Sequence, residues 1–136
     1  MKVQPDGKVV SVGSSDGDFA VARHNADGTP DTGFSGDGKV TTDINNGQYD
    51  EAHGVAVQSD GKIVVVGTSW RDFEDCCWFT VARYNSDGSV DTSFGTNGRV
   101  LTDFAGPTEA MDVALQPDGR IVAAGYSGGR AAVARY

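Results

Sequence analysis

Two stretches of the chain, Gly13-Ser14-Ser15-Asp16-Gly17 and Gly125-Tyr126-Ser127-Gly128-Gly129, fit the G-x-S-x-G spacing that in a hydrolase sets a nucleophilic serine on a sharp turn. That chemistry needs a strand before the serine, a helix after it, and a histidine and an acid delivered by the fold. Both motifs instead lie between two strand-like runs, and their counterpart Gly67-Thr68-Ser69-Trp70-Arg71 lacks the last glycine. Hairpins rich in Gly and Ser produce this spacing without the function, so no catalytic residue is assigned. The two histidines, His24 and His53, stand in no metal-ligand spacing with each other or with a cysteine. His53 precedes an innermost strand and is a weak candidate for a residue facing a central channel; a solvated loop histidine is the alternative.

Oxygen ligands are more numerous. Asn25-Ala26-Asp27-Gly28 and Asn85-Ser86-Asp87-Gly88 resemble short calcium loops, and Asp31 and Asp91 follow at equal offsets. Calcium takes about six to eight oxygens, and the full twelve-residue loop pattern is absent. The same residues build Asx turns, in which the side chain bonds its own backbone two residues on. The turn reading is preferred and calcium at Asp27, Asp31, Asp87 and Asp91 is the alternative; no other cofactor is implied. Arg23, Arg83 and Arg135 recur after Val-Ala in every copy, which points to a structural role in an ion pair, with Asp43 or Asp103 as the expected acids.

The elements carrying these residues are copies of one unit. VQPDGKVVSVG at Val3 returns as VQSDGKIVVVG at Val57 and LQPDGRIVAAG at Leu115, at separations of 54 and 58 residues. FAVARHNADG from Phe19 returns as FTVARYNSDG from Phe79 and, in part, as AAVARY from Ala131; DTGFSGDGKVTTD from Asp31 returns as DTSFGTNGRVLTD from Asp91. Self-similarity at this period means that each unit is one supersecondary element that stacks on its neighbours to bury its apolar faces. Four short strands per unit are expected, in the second unit at residues 54–58, 62–67, 79–84 and 99–103, with Asp-Gly at the first turn. Ile63-Val64-Val65-Val66 does not alternate with polar residues, so both faces of that strand must be covered.

These features predict an all-β fold: a β-propeller fragment of about three four-stranded blades, at residues 1–47, 48–105 and 106–136, the last lacking its outer strand. Propellers close with at least about four blades, so the chain is expected to be part of a longer polypeptide or to complete a ring by homo-oligomerisation, with a dimer preferred.

The largest break in the repeat falls between its second and third strands. Val12 to Arg23 and Ala124 to Arg135 each span 11 positions, whereas Val66 to Arg83 spans 17. The six extra residues fall within Trp70-Arg71-Asp72-Phe73-Glu74-Asp75-Cys76-Cys77-Trp78. Insertions on one face of a repeat array commonly do the recognising. Trp70, Phe73 and Trp78 supply contact area and Arg71, Asp72, Glu74 and Asp75 polar orientation, with a cap on the blade or a subunit contact as the alternative. Consecutive Cα atoms sit about 3.8 Å apart, below the usual disulfide range. Cys76 and Cys77 are therefore either a strained vicinal bridge, reduced thiols, or a bridge between chains.

The wording PDGK-[IV]-V-x-[VA]-G, ARYNxDGxxDTxFGxxGxV and TTD resembles the delta-60 repeat family of bacterial surface and secreted β-propellers, over nearly the whole chain. The resemblance implies a propeller blade and a secreted or cell-surface setting, and no particular reaction. Met1-Lys2 leads straight into a strand, so no signal peptide is read. Eleven basic against 19 acidic residues leave a net charge of −8, which disfavours nucleic acid, and no apolar run reaches the length of a membrane span. The expected function is a non-enzymatic module that binds itself and a protein or glycan ligand; a purely structural assembly unit comes second, and a propeller lyase or hydrolase third.

Overall fold

Asp-Gly turns close the three copies of the first hairpin in one geometry. Gly7, Gly61 and Gly119 have φ of 83°, 84° and 85°, a left-handed conformation that glycine adopts without a Cβ penalty. Their amides donate to the carbonyls of Gln4, Gln58 and Gln116 at 3.0, 2.9 and 3.0 Å. The preceding Asp6, Asp60 and Asp118 each accept the amide of the residue two positions on, at 3.1 Å. The computed structural model describes residues 1–46, 48–70 and 77–136, and every strand among them belongs to one of three antiparallel sheets.

The first sheet comprises β1 (Lys2–Val3), β2 (Val9–Ser15), β3 (Asp18–His24) and β4 (Lys39–Thr42). The second comprises β5 (Asp50–Val57), β6 (Ile63–Trp70), β7 (Cys77–Tyr84) and β8 (Arg99–Thr102). The third comprises β9 (Thr108–Leu115), β10 (Ile121–Ser127) and β11 (Arg130–Arg135). Each is a meander in which sequence neighbours pair. This is the all-β propeller fragment of about three blades that the repeats predict, with the third sheet one strand short. Among the described residues no helix is long and apolar enough to cross a membrane.

The sheets stack face to face, and each junction is an apolar core. Val10, Val12, Phe19 and Val21 of the first sheet pack on Ile63, Val65, Ala82 and Tyr84 of the second. On its other face the second sheet presents Val64, Val66, Phe79 and Val81 to Ala110, Ile121, Ala123 and Ala132 of the third. Thus Ile63 to Val66 are all buried, the physical content of a strand with no polar alternation. Burial of a Val, Ile or Phe side chain contributes about 1.5–3 kcal/mol, so these two cores supply most of the drive to stack.

Three sequence expectations change. The first three strands of the second sheet run on at the loop end, to Asp50, Trp70 and Cys77, while the fourth stops at Thr102, one residue short of its expected end. His53 lies inside β5 as the extra residue of a bulge between Ala52 and Gly54, rather than ahead of the strand, and Met111 occupies the same place in β9. A bulge leaves its extra residue unpaired and bends its strand, and close backbone approach at such a place favours glycine. Opposite it, a Cβ on Gly67 would lie 2.0 Å from the Glu51 carbonyl oxygen, and one on Gly125 would lie 1.9 Å from that of Glu109. Finally, part of the insertion is ordinary sheet. Ser69 pairs with Trp78 and Trp70 with Cys77, which adds one rung to the ladder that ends at Ser15 and Asp18 in the first sheet.

Candidate functional site

The turns between second and third strands lie against the links between sheets, so the repeat break and the junction share one face. The Asp50 amide donates to the Gly17 carbonyl at 2.6 Å and the Trp70 amide to the Tyr49 carbonyl at 2.9 Å. Asn45 Nδ2 donates to the Trp70 carbonyl at 2.8 Å. At the next junction the Gly128 amide reaches the Pro107 carbonyl at 2.9 Å.

Exposed aromatic rings mark this face. Trp70 and Tyr49 are 42% and 48% exposed and meet edge to face, with ring centroids 6.4 Å apart. Tyr126 is exposed as well, and its hydroxyl is held by the Glu109 carboxylate, which raises its pKa. Trp78 and Cys77 are half-buried. Arg71, Asp72, Phe73, Glu74, Asp75 and Cys76, expected to complete the recognition loop and the vicinal bridge, lie outside the described residues.

Beside the aromatic pair three carboxylates converge. Asp18 opens β3, Asp43 follows β4 and Asp50 opens β5, and one oxygen from each lies within 4.8 Å of the others. Asp50 is fully buried; it accepts the Ile44 amide at 2.8 Å and a very short bond from the Ser69 hydroxyl. Burial is the largest cause raising the pKa of both Asp50 and Asp18, and the Asp43 charge adds to each. A hard cation takes carboxylate sets of this kind, but three groups fall short of the usual ligand count, and both Asp50 oxygens already accept protein donors. Crowding of like charges in a buried corner favours the protonated forms of Asp50 and Asp18. Spacing along the chain does not reveal the cluster, because its members come from two sheets and a link. The available signal was Asp18, which stands where the second copy has Trp78.

The acids for which a turn is the preferred reading and calcium the alternative are placed differently. Asp27 Oδ1 accepts the Thr29 amide at 3.0 Å and hydroxyl at 2.6 Å, and Asp87 Oδ1 accepts those of Ser89 at 2.9 and 2.6 Å. These are Asx turns. Asp31 Oδ2 accepts Lys8 Nζ at 2.9 Å and Arg23 Nε at 2.6 Å; Asp91 Oδ2 accepts Lys62 Nζ at 2.9 Å and Arg83 Nε at 2.7 Å. The Lys8 ammonium is the largest influence holding Asp31 down to about 2, and Ser93 and Lys62 hold Asp91 lower still. The structure does not gather the four into one donor set; among the described residues Asp18, Asp43 and Asp50 form the one such group.

The same geometry corrects the arginine partners. Arg23 and Arg83 pair with Asp31 and Asp91, not with Asp43 or Asp103, because the DTxF turn returns the chain so that the Asp31 and Asp91 amides bond the Arg23 and Arg83 carbonyls at 3.0 and 2.9 Å. Phe34 and Phe94 lie under the two guanidinium groups at 4.8 and 4.6 Å. Arg23 also crosses to the second sheet, donating Nη1 to the Ser86 carbonyl at 2.7 Å. The repeated arginine is thus a structural rivet.

His53 is half-buried in its bulge, with Nε2 3.5 Å from Thr68 Oγ1. Ser15 and Ser127, the serines of the two G-x-S-x-G motifs, end strands that turn directly into the next strand, with Asp16 and Gly17 forming the first turn at φ of 55° and 91°. That is a hairpin, and no helix follows the serine.

No curated protein matches the chain in sequence. A family model does, over residues 4–34, 58–74, 78–94 and 116–136, more than half of the chain and in register with the repeated hairpins. With three stacked antiparallel sheets and this match, the chain belongs to the family described as Domain of unknown function (DUF5122) beta-propeller.

Proposed function

We propose that this chain is a non-catalytic β-propeller module that associates with itself and recognises a protein or glycan through the face bearing Trp70 and Tyr49. The observation that supports this reading is the exposed aromatic pair, set where the repeat gains six residues and beside the Asp18, Asp43 and Asp50 carboxylates. Rigid amphipathic rings flanked by acceptors suit both sugar faces and polypeptide anchors. The reading needs neither cofactor nor metal. The delta-60 likeness, a bacterial secreted or cell-surface setting, and closure of a ring by two copies belong to the same proposal.

A purely structural role remains the second reading, favoured by the strand rung that Trp70 and Cys77 add to the sheet. The two part when residues 70–77 are replaced by the Asp-Gly turn of the first sheet, which removes the six extra positions. Loop shortening alters stability only modestly. Recognition predicts that the shortened chain keeps its far-ultraviolet β signal and its mass while losing binding to an oligosaccharide array and to surface-protein fragments that the parent retains. Unchanged binding would overturn the recognition reading, and loss of assembly alone would assign the loop to a subunit contact.

A further inference from the structure

The outer faces of the stack are unlike each other. In the covered junctions one repeat position on the third strand is filled by Val21 and Val81, 1% and 0% exposed; in the third sheet the same position is Val133, 62% exposed. Val10 and Val64, fully buried, correspond to the half-buried Val122. Arg135 is exposed where Arg23 is buried. The third sheet therefore presents to solvent the leading face of a junction, the valine face that elsewhere receives the next sheet.

At the other end the first sheet presents a trailing face, the side that in the second and third sheets packs on the preceding one. Its positions carry Val9, Ser11, Ala22 and His24, in register with Ile63, Val65, Ala82 and Tyr84. Small residues leave a hollow of about 180 Å³ there, lined by Ser11, Gly13, Ala20, Ala22, Lys39 and Thr41 among others. Gly28 has nothing within 4 Å of a built Cβ, whereas its counterpart Gly88 meets the Phe34 ring at 3.1 Å in the covered junction. The two outer faces are thus of opposite kind, one leading and one trailing.

We propose that a second copy of this chain docks head to tail, its trailing face of Val9, Ser11, Ala22 and His24 on the leading face of Val122, Ala124 and Val133. The inference rests on the self-association put forward above and specifies its polarity and its residues. Continuity with the two internal junctions carries it, since one sheet-on-sheet geometry already joins a leading to a trailing face twice in the chain. A heterologous contact of this kind forms a ring when the rotation closes. Ser11 and His24 replace Val65 and Tyr84, so the contact is weaker than the internal junctions and the observed mass rises with concentration.

The test uses the full chain by sedimentation velocity across a concentration series, with far-ultraviolet dichroism and thermal melts confirming that each variant is folded. Val133→Asp removes the leading face and Ala22→Asp the trailing face; Val122→Lys and Ser11→Lys form a second pair should either Asp variant fail to fold. Burying a charge in an apolar contact, offset only in part by Lys39 opposite position 22, weakens each variant's self-association by at least roughly 100-fold. An equimolar mixture of the two variants retains one intact leading-to-trailing junction and pairs at concentrations where neither does alone. If Ala22→Asp dimerises like the parent and Val133→Asp does not, the contact is leading face on leading face and the head-to-tail proposal is overturned. Failure of the mixture to pair overturns it as well. A parent that stays a single chain at every concentration sinks self-association itself, which separates that failure from an error in polarity.

Discussion

The two sheet junctions share a framework and differ in what they hold at the loop end. Tyr84 of the second sheet donates to Thr42 Oγ1 of the first at 2.9 Å, and the Tyr136 hydroxyl lies 2.6 Å from Thr102 Oγ1. Burial pushes Tyr84 up to about 12, so that hydroxyl stays neutral and keeps its bond. Above this common rung the first junction carries Asp18, Asp43 and Asp50, while the second has Trp78, Asp103 and Thr108 at the same positions. Thr108 bonds the Ser127 hydroxyl at 3.2 Å and the Gly106 carbonyl at 2.7 Å, a neutral version of the Asp50 and Ser69 pair. A repeat conserves what every junction needs for packing, and departs from itself where one junction has been given charge and the other aromatic bulk.

The riveting arginines should break the comparison most. Arg23→Ala leaves the buried Asp31 with Lys8 and the Gly33 amide but without its guanidinium, and removes the donor to the Ser86 carbonyl, so a loss of about 3 kcal/mol is expected in urea unfolding. Arg83 is more exposed, and Arg83→Ala should cost about half as much. Equal losses would show that the bond to Ser86 is not a meaningful part of the first junction.

Asp50→Ala comes next. It strips acceptors from the Ile44 amide and the Ser69 hydroxyl, at about 1–3 kcal/mol for the buried donors left unpaired. Thr108→Ala removes weaker neutral bonds and should cost about 1 kcal/mol. An Asp50→Ala chain as stable as its parent would mean that the buried acid makes no net contribution.

The smallest effect is the pH dependence of the first junction. Asp50 and Asp18 have folded pKa values above their unfolded ones, so their contribution is fully present below the ordinary carboxylate range and is lost as pH rises through the folded values. Asp31, held down to about 2, acts in the opposite direction: its contribution is present above the unfolded value and is lost as pH falls toward 2. Asn at position 50 can accept from Ile44 and donate to Ser69, so Asp50→Asn should flatten the alkaline side of the stability profile and leave the acid side unchanged. Urea midpoints measured from pH 3 to 8 check this, and a parallel shift of the whole profile would contradict the assignment.

Periodicity by itself determined the number of strands, the Asp-Gly hairpins, the stacking of sheets covered on both sides, and the position of the repeat break, because each follows from short-range turn chemistry and from a pattern repeated at fixed spacing. It also marked Arg23 and Arg83 as structural through their recurrence. Tertiary structure decided the acids they meet, since Asp31 and Asp91 reach them through the turn after the third strand while Asp43 and Asp103 are carried to the loop face. It decided that His53 is a bulge residue, that Trp70 and Cys77 extend a ladder, and that Asp18 and Asp50 share one buried corner. Such meetings depend on how one sheet is rotated and set upon the next, and a register of side chains across a junction leaves no trace in the spacing along either strand.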